Sequence, residues 1–226
     1  MGTPRPSDPL SVEWVTVLLL LVVGVLAWVN AISPRKWKLL PEAVFRLRLG
    51  RQTMREDLNL QDRTLIALVA VASVLIGLFI YQAAIHKGLV EPQWWWALES
   101  MAAVFGIVIG QVALLRLATF LFQGDGGAQE YPFTLLTLLT ATGLLLLPLD
   151  LLFAYWPAMR SALSILGVVL LQAMFVFRWS RAALIGLGSG TSAGYLFIYL
   201  CALEILPLAL LIISLRQAIP PDVRPH

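Results

Sequence analysis

Residues 64–85 read TLIALVAVASVLIGLFIYQAAI, an apolar run that no Asp, Glu, Lys or Arg interrupts. A helix needs about 20 such residues to cross the hydrocarbon core of a bilayer. Apolar residues make up 59% of the 226 positions and charged residues only 13%, a balance that the surface of a water-soluble globular protein does not have. The sequence therefore predicts a protein embedded in a membrane.

Further apolar runs on both sides of residues 64–85 give six candidate spans in total. The other five lie at residues 14–32, 96–121, 132–153, 161–177 and 191–215. Each is close to the length that a membrane-spanning helix requires. We expect an all-α, polytopic membrane protein, a bundle of six transmembrane helices that forms one membrane domain over residues 1–226.

Basic residues set the predicted orientation of this bundle. Of the 16 Lys and Arg residues, eleven fall on one side of the six-span model: Arg35, Lys36, Lys38, Arg46, Arg48, Arg51, Arg55, Arg63, Arg116, Arg178 and Arg181. Short cytoplasmic loops are rich in Lys and Arg, so both termini are predicted to lie outside the cytoplasm. Topology alone accounts for these charges, and nucleic acid is not expected as a partner.

The basic loop at residues 33–63 contains the sequence LLPEAVFRLRLGRQ at residues 39–52. Its apolar and charged side chains alternate in a way that allows an amphipathic helix in the headgroup region of the bilayer. The alternative is a basic loop that only fixes topology. Both readings stay open from the sequence.

Small residues recur every four positions in the third span, at Ala102, Gly106 and Gly110. This spacing places them on one helix face, where a neighbouring backbone can approach closely. We expect these three residues to serve helix packing.

The last span contains YLCALEILPL at residues 199–208, with Glu204 in an otherwise apolar stretch. A carboxyl group at membrane depth is costly and usually faces a protein interior, a cavity or a partner charge. Three roles compete for Glu204. It could lock helix packing, bind a substrate or proton in a transporter or flippase, or take part in intramembrane catalysis.

Asp150 and Arg116 are the other ionisable residues at membrane depth, and with Glu204 they form the candidate intramembrane polar site. Pro148 stands just before Asp150, and Pro207 follows Glu204. Each proline removes a backbone donor and leaves a helix carbonyl without its usual partner. Arg116 could either snorkel to the cytoplasmic boundary or reach towards Glu204.

Catalytic and metal-binding residues are scarce. Cys201 is the only cysteine, and His86 and His226 are the only histidines. His86 is expected in a short outer loop and His226 is the last residue, so no buried histidine is expected to act as a base. No metal site, no cofactor and no enzymatic activity are predicted.

Three features together carry a resemblance to a family: the segment at residues 199–208, the segment LLLLPLDLLFAYWP at residues 144–157, and Arg116 late in the third span. The chain resembles an uncharacterised family, a domain of unknown function, of polytopic integral membrane proteins from Bacteroidota. The resemblance covers the chain from about Glu13 to Leu215. It implies a protein of the bacterial inner membrane and transfers no activity, substrate or catalytic residue.

Two classes of function follow from these features. One is a non-enzymatic component of a cell-envelope complex, which docks a membrane-protein partner or a second copy of the chain. The other is a small transporter or lipid translocase that uses Glu204. No inverted repeat is visible in the sequence, which favours the first class.

Single cysteines test the predicted orientation once Cys201 is replaced. Gly50→Cys, in the basic loop, should resist an impermeant maleimide added from the periplasmic side, because that loop is predicted to be cytoplasmic. Thr3→Cys, near the N-terminus, should react and serves as the control, with adducts measured by mass spectrometry. Labelling of position 50 from the periplasm would show that the topology is the reverse of the predicted one.

Overall fold

A computed structural model describes residue 10 and residues 13–34, 63–122 and 130–188. All regular structure in these ranges is helical, as predicted. The elements are α1 (Glu13–Ile32), α2 (Arg63–His86), α3 (Trp94–Phe122), α4 (Glu130–Tyr155), a 3-10 turn (Pro157–Met159) and α5 (Arg160–Gly188). All five α-helices contain a segment long and apolar enough to cross a membrane.

Two sequence predictions fall outside the described residues. They are the sixth span at residues 191–215 and the amphipathic helix at residues 39–52, and both stay predictions. Among the described elements, α5 differs most from its predicted span, because it continues beyond residue 177 through Arg178 and Arg181. Arg178 is partly buried and Arg181 is buried, so α5 carries these basic residues within the described bundle.

Helix α2 is the centre of the described bundle. It packs against all four other helices, most extensively against α4 and α3. Within its apolar window 67% of the residues are buried, against 17% in α3 and 17% in α5. The outer faces of α3 and α5 are correspondingly apolar and exposed, as expected for helices that face lipid or a partner helix.

The contact between α1 and α2 follows a heptad-like pattern. Buried residues of α1 recur at alternating steps of four and three: Val15, Leu19, Val22, Leu26 and Val29. They pack against a matching stripe on α2 that includes Leu68, Val71, Leu75 and Leu78. This spacing keeps the apolar seam facing one partner along the whole helix.

Glycines permit close approach where α3 and α4 meet α2. A Cβ atom added to Gly143 of α4 would lie 2.5 Å from the Cα atom of Ala72, and one added to Gly77 of α2 would lie 2.6 Å from the Cα atom of Met101. No side chain fits at such distances. Ser100 of α3 also donates a hydrogen bond of 2.9 Å to the carbonyl oxygen of Gly77.

One end of the bundle is marked by aromatic residues, and we call it the aromatic end. Trp14 at the start of α1 lies 5.7 Å from Tyr81 near the end of α2. Thr16 of α1 shares a 2.7 Å hydrogen bond with the hydroxyl of Tyr155 at the end of α4. Tryptophans favour the membrane–water boundary, so these contacts indicate where the helices leave the membrane.

Helix α2 stops at the aromatic end through a glycine. Gly88 has φ of 69°, a conformation that favours glycine. The backbone amide of Gly88 donates to the carbonyl of Ile85, and that of Leu89 donates to Ala84. This pair of bonds is the Schellman arrangement that closes a helix C-terminus, and it fixes His86 as the last residue of α2.

Substitution of Gly143 tests the close contact between α2 and α4. Gly143→Ala should lower the free energy of unfolding by about 1–3 kcal/mol, the usual cost of overpacking a helix contact. The measurement is unfolding of the purified protein in lipid nanodiscs. Gly110→Ala is the matched control, because a Cβ atom there meets nothing within 4 Å, and its stability should not fall. Equal stabilities for the two variants would contradict the described packing.

Candidate functional site

Asp150 of α4 and Gln82 of α2 meet inside the bundle, and we call them the buried carboxyl–amide pair. Both side chains are 0% exposed. Nε2 of Gln82 donates a long hydrogen bond of 3.5 Å to the backbone carbonyl oxygen of Asp150. The pair therefore joins the central helix to its most extensive partner.

Three oxygen atoms of this pair have no hydrogen-bond partner among the described residues. They are Oδ1 and Oδ2 of Asp150 and Oε1 of Gln82. All are acceptors when the carboxyl group is ionised. A buried polar atom without a partner costs about 1–3 kcal/mol, and an ionised one costs more. These three oxygens thus lack a hydrogen-bond donor within the described part of the chain.

Apolar side chains surround the pair along α4. Leu146, one turn before Asp150, and Phe153, one turn after it, are both 0% exposed. They belong to a core cluster that also contains Phe79 of α2 and Leu163 of α5. Water has no described route to Asp150 through these residues.

His86 lies one turn closer to the aromatic end than Gln82. It is partly buried, and its ring meets the ring of Phe153 edge to face at 5.7 Å. Its Nε2 atom lies 3.2 Å from Oγ of Ser161, in the first turn of α5. A titratable ring therefore stands between the buried pair and the end of the bundle.

Arg160 closes α4 at the same end. Its Nε atom donates to the carbonyl oxygen of Phe153 at 2.9 Å and its Nη2 atom to that of Ala154 at 3.2 Å. A cation at a helix C-terminus satisfies terminal carbonyls and interacts favourably with the helix dipole. These bonds tie the end of α4, one turn after Asp150, to the start of α5.

Residues 15–215 match the family model described as Domain of unknown function (DUF4271), a range that includes all of the described helices except the first two residues of α1. The chain belongs to the DUF4271 family. The match begins two residues into α1 and extends beyond α5, so it includes the buried carboxyl–amide pair. The predicted resemblance to a family of unknown function is confirmed. The chain matches no curated protein and no solved structure.

The three predicted polar residues do not form one described cluster in this DUF4271 chain. Arg116 is exposed on α3, and its neighbour Leu115 packs against Leu136 near the start of α4. Asp150 lies 14 positions further along α4, or about 21 Å at the usual helical rise. The structure thus places Arg116 towards the opposite end of the bundle from Asp150. Glu204 lies outside the described residues, so its part in the site stays a prediction.

The predicted packing face of α3 is open in the described structure. Ala102 and Gly106 are exposed, and a Cβ atom added at Gly106 or Gly110 would meet nothing within 4 Å. No described helix occupies this face. Its role in packing therefore stays a prediction.

A cleft of about 700 Å³ opens at the aromatic end, beside α2. Aromatic and aliphatic side chains dominate its lining, with Trp14 and Tyr81 on one side and the stacked rings of Trp94 and Trp95 on the other. No acidic or basic residue lines it. The cleft suits an apolar group and offers no acid–base chemistry.

Metal binding has no support within the described ranges. No group of three or more His, Cys, Asp or Glu side chains there could hold a metal ion. The chemistry that the buried pair offers is the gain or loss of a proton on one carboxyl group.

Sequence reasoning missed Gln82 and assigned His86 to a loop. Gln82 lies within the apolar run at residues 64–85, where a single uncharged amide does not stand out. The available signal was its spacing, because Gln82 and His86 are four residues apart and share one helix face. The structure corrects the placement of His86, which ends α2 because the glycine turn comes only after it.

Asp150→Asn distinguishes a binding carboxyl from a structural one. Because no hydrogen bond to the carboxyl oxygens would be lost, we expect the free energy of unfolding in nanodiscs to stay equal or rise. Thr140→Val is the control. It removes a hydroxyl that donates a 2.8 Å hydrogen bond to the carbonyl oxygen of Leu136, so its free energy of unfolding should not rise. A drop of about 3–5 kcal/mol for Asp150→Asn, as for a broken buried ion pair, would contradict the described site.

Proposed function

We propose that this chain is a multi-pass protein of the bacterial inner membrane that binds a proton at the buried carboxyl–amide pair, as a small transporter or lipid translocase does. The periplasmic location of both termini and the origin in Bacteroidota follow from the charge distribution and the family resemblance. The single observation that carries the proton-binding function is the set of three buried acceptor oxygens that have no donor among the described residues.

A proton fits this set better than a metal cation. One proton on Asp150 turns one acceptor oxygen into a donor and removes the negative charge. Hard cations such as Ca²⁺ take six to eight oxygen ligands, and Mg²⁺ takes six, whereas the pair supplies three unpartnered side-chain oxygens. Protonation of Asp150 thus supplies the missing hydrogen-bond donor without any added metal ion.

The position of the pair lets protonation of Asp150 influence how the helices of the bundle are arranged. Gln82 belongs to α2, the helix that contacts all the others, and Asp150 belongs to α4, which Pro148 loosens two residues earlier. Loss of the proton leaves a charge in an apolar interior, which favours an arrangement that admits water. Such a change between two arrangements is what proton coupling in a transporter requires. It needs no bond-forming residue, so the proposal is non-enzymatic.

A second candidate function is favoured by a different observation. On the small-residue face of α3 a Cβ atom added at Gly106 or Gly110 meets nothing within 4 Å among the described residues, so this face suits close contact with another helix. That face supports a non-enzymatic component of a cell-envelope complex. Its occupant would be a membrane-protein partner or a second copy of the chain.

Carbodiimide labelling tests the proton site. Dicyclohexylcarbodiimide reaches apolar regions and reacts with protonated carboxyl groups, so Asp150 should be modified in native membranes, and less so as pH rises. Peptide mass spectrometry separates this adduct from any at Glu204. Asp150→Asn should lose the adduct, while exposed Glu99 provides an internal reference with a water-soluble carbodiimide. Modification of Asp150 to the same extent at acidic and alkaline pH would reject reversible proton binding and leave the complex component as the remaining function.

A further inference from the structure

We infer that His86 passes protons between water at the aromatic end and Asp150. This inference rests on the proposed proton site and adds its route. It comes from the order of groups along two neighbouring helices.

Helical spacing places His86 above the buried pair. His86 follows Gln82 by four residues on α2, or about 6 Å, and Phe153 follows Asp150 by three on α4, or about 4.5 Å, in both cases towards the aromatic end. The two upper rings touch edge to face at 5.7 Å. His86 and Phe153 therefore form one layer that covers the layer of Gln82 and Asp150.

Within this covering layer Phe153 cannot carry a proton, whereas His86 can. Phe153 is 0% exposed and is held by edge contacts to both His86 and Phe79. An aromatic hydrocarbon ring can neither accept nor release a proton. His86 is the titratable residue of the layer and is only partly buried, so a proton that crosses the layer has the imidazole as its carrier.

The two ring nitrogens of His86 have different surroundings. Nε2 lies 3.2 Å from Oγ of Ser161, at the start of α5. Nδ1 makes no hydrogen bond within the described part of the chain. Imidazole can accept a proton at one nitrogen and release one from the other, which is the property that a relay needs.

The proton transfer balances in two steps. A hydronium ion on the Ser161 side protonates one ring nitrogen, which gives the imidazolium ion and leaves a water molecule. The other nitrogen then loses its proton to the carboxylate of Asp150, directly after a side-chain rotation or through one water molecule. The products are neutral imidazole and a neutral carboxylic acid, and reversal of the steps releases the proton.

Charged groups of both signs lie around His86 at the aromatic end. Lys87 follows it on α2 and is exposed, and Arg160 of α5 donates to the last carbonyls of α4. Glu13, Glu91 and Glu99 lie at the same end and are also exposed. On the bundle side, one turn deeper, the acidic group is Asp150, which is the acceptor that the relay requires.

Infrared spectroscopy after a pH jump can follow the protonation itself. The full-length protein in nanodiscs should show a carboxylic-acid C=O band that Asp150→Asn removes. His86→Asn should slow the rise of this band by about a hundredfold, the lower range of what a positioned proton-transfer group contributes, without changing its final amplitude. Added free imidazole should restore part of the rate. Lys87→Gln is the matched control and should leave the rate unchanged.

Each other outcome overturns the relay. An unchanged rate in His86→Asn would show that protons reach Asp150 by another route. A slowed rate that imidazole does not restore, in both His86→Asn and His86→Gln, would show that the ring acts only by packing. Absence of a band that depends on Asp150 in the unmodified protein would instead reject the proposed proton site. Failure of the relay and failure of the function are therefore distinguishable.

Discussion

Close backbone approach to α2 is the contact on which the other features of the described bundle depend. Helices in lipid gain little from hydrophobic association, so they are held by tight packing and by hydrogen bonds between helices. Gly143 and Gly77 let α4 and α3 approach the central helix to distances that any side chain would prevent. The same approach brings Gln82 within reach of the backbone of Asp150. The Gly143 contact and the buried pair therefore belong to the same interface between α2 and α4.

The pair is unusual because other buried polar groups nearby are satisfied. The hydroxyl groups of Ser73, Thr140 and Thr142 each donate to the carbonyl four residues earlier in their own helix. Hydroxyl groups can do this because they carry a donor, whereas a carboxylate cannot. Asp150 is therefore the residue for which the helix alone offers no solution. Buried polar residues that lack hydrogen-bond partners in this way are candidates for function.

Much of the fold could be predicted from the sequence, and the arrangement of the site could not. Long apolar runs indicate helices because length and hydrophobicity act locally, and Asp150 was identified because a charge in such a run is conspicuous. Gln82 was overlooked because its importance comes from the carboxyl group on another helix. Gly106 and Gly110 have the spacing of a packing face, yet Gly77 and Gly143 make the close contacts to neighbouring helices. Spacing shows which residues share a face, but which helix covers that face depends on tertiary structure.

The depth of Asp150 favours proton exchange with one side of the membrane. The residue precedes the end of α4 at Tyr155 by five positions, or about 7.5 Å along the helix. Trp156 and the 3-10 turn follow directly, so the membrane boundary is near. In the other direction the apolar part of α4 reaches back to Leu135, or about 22 Å along the helix. A proton would therefore enter and leave from the aromatic end in the described arrangement, and exchange with the opposite side would require α4 to bend or slide along α2, with Pro148 as the weak point. That asymmetry is expected of one state of an alternating carrier, and a purely structural carboxyl group would not require it.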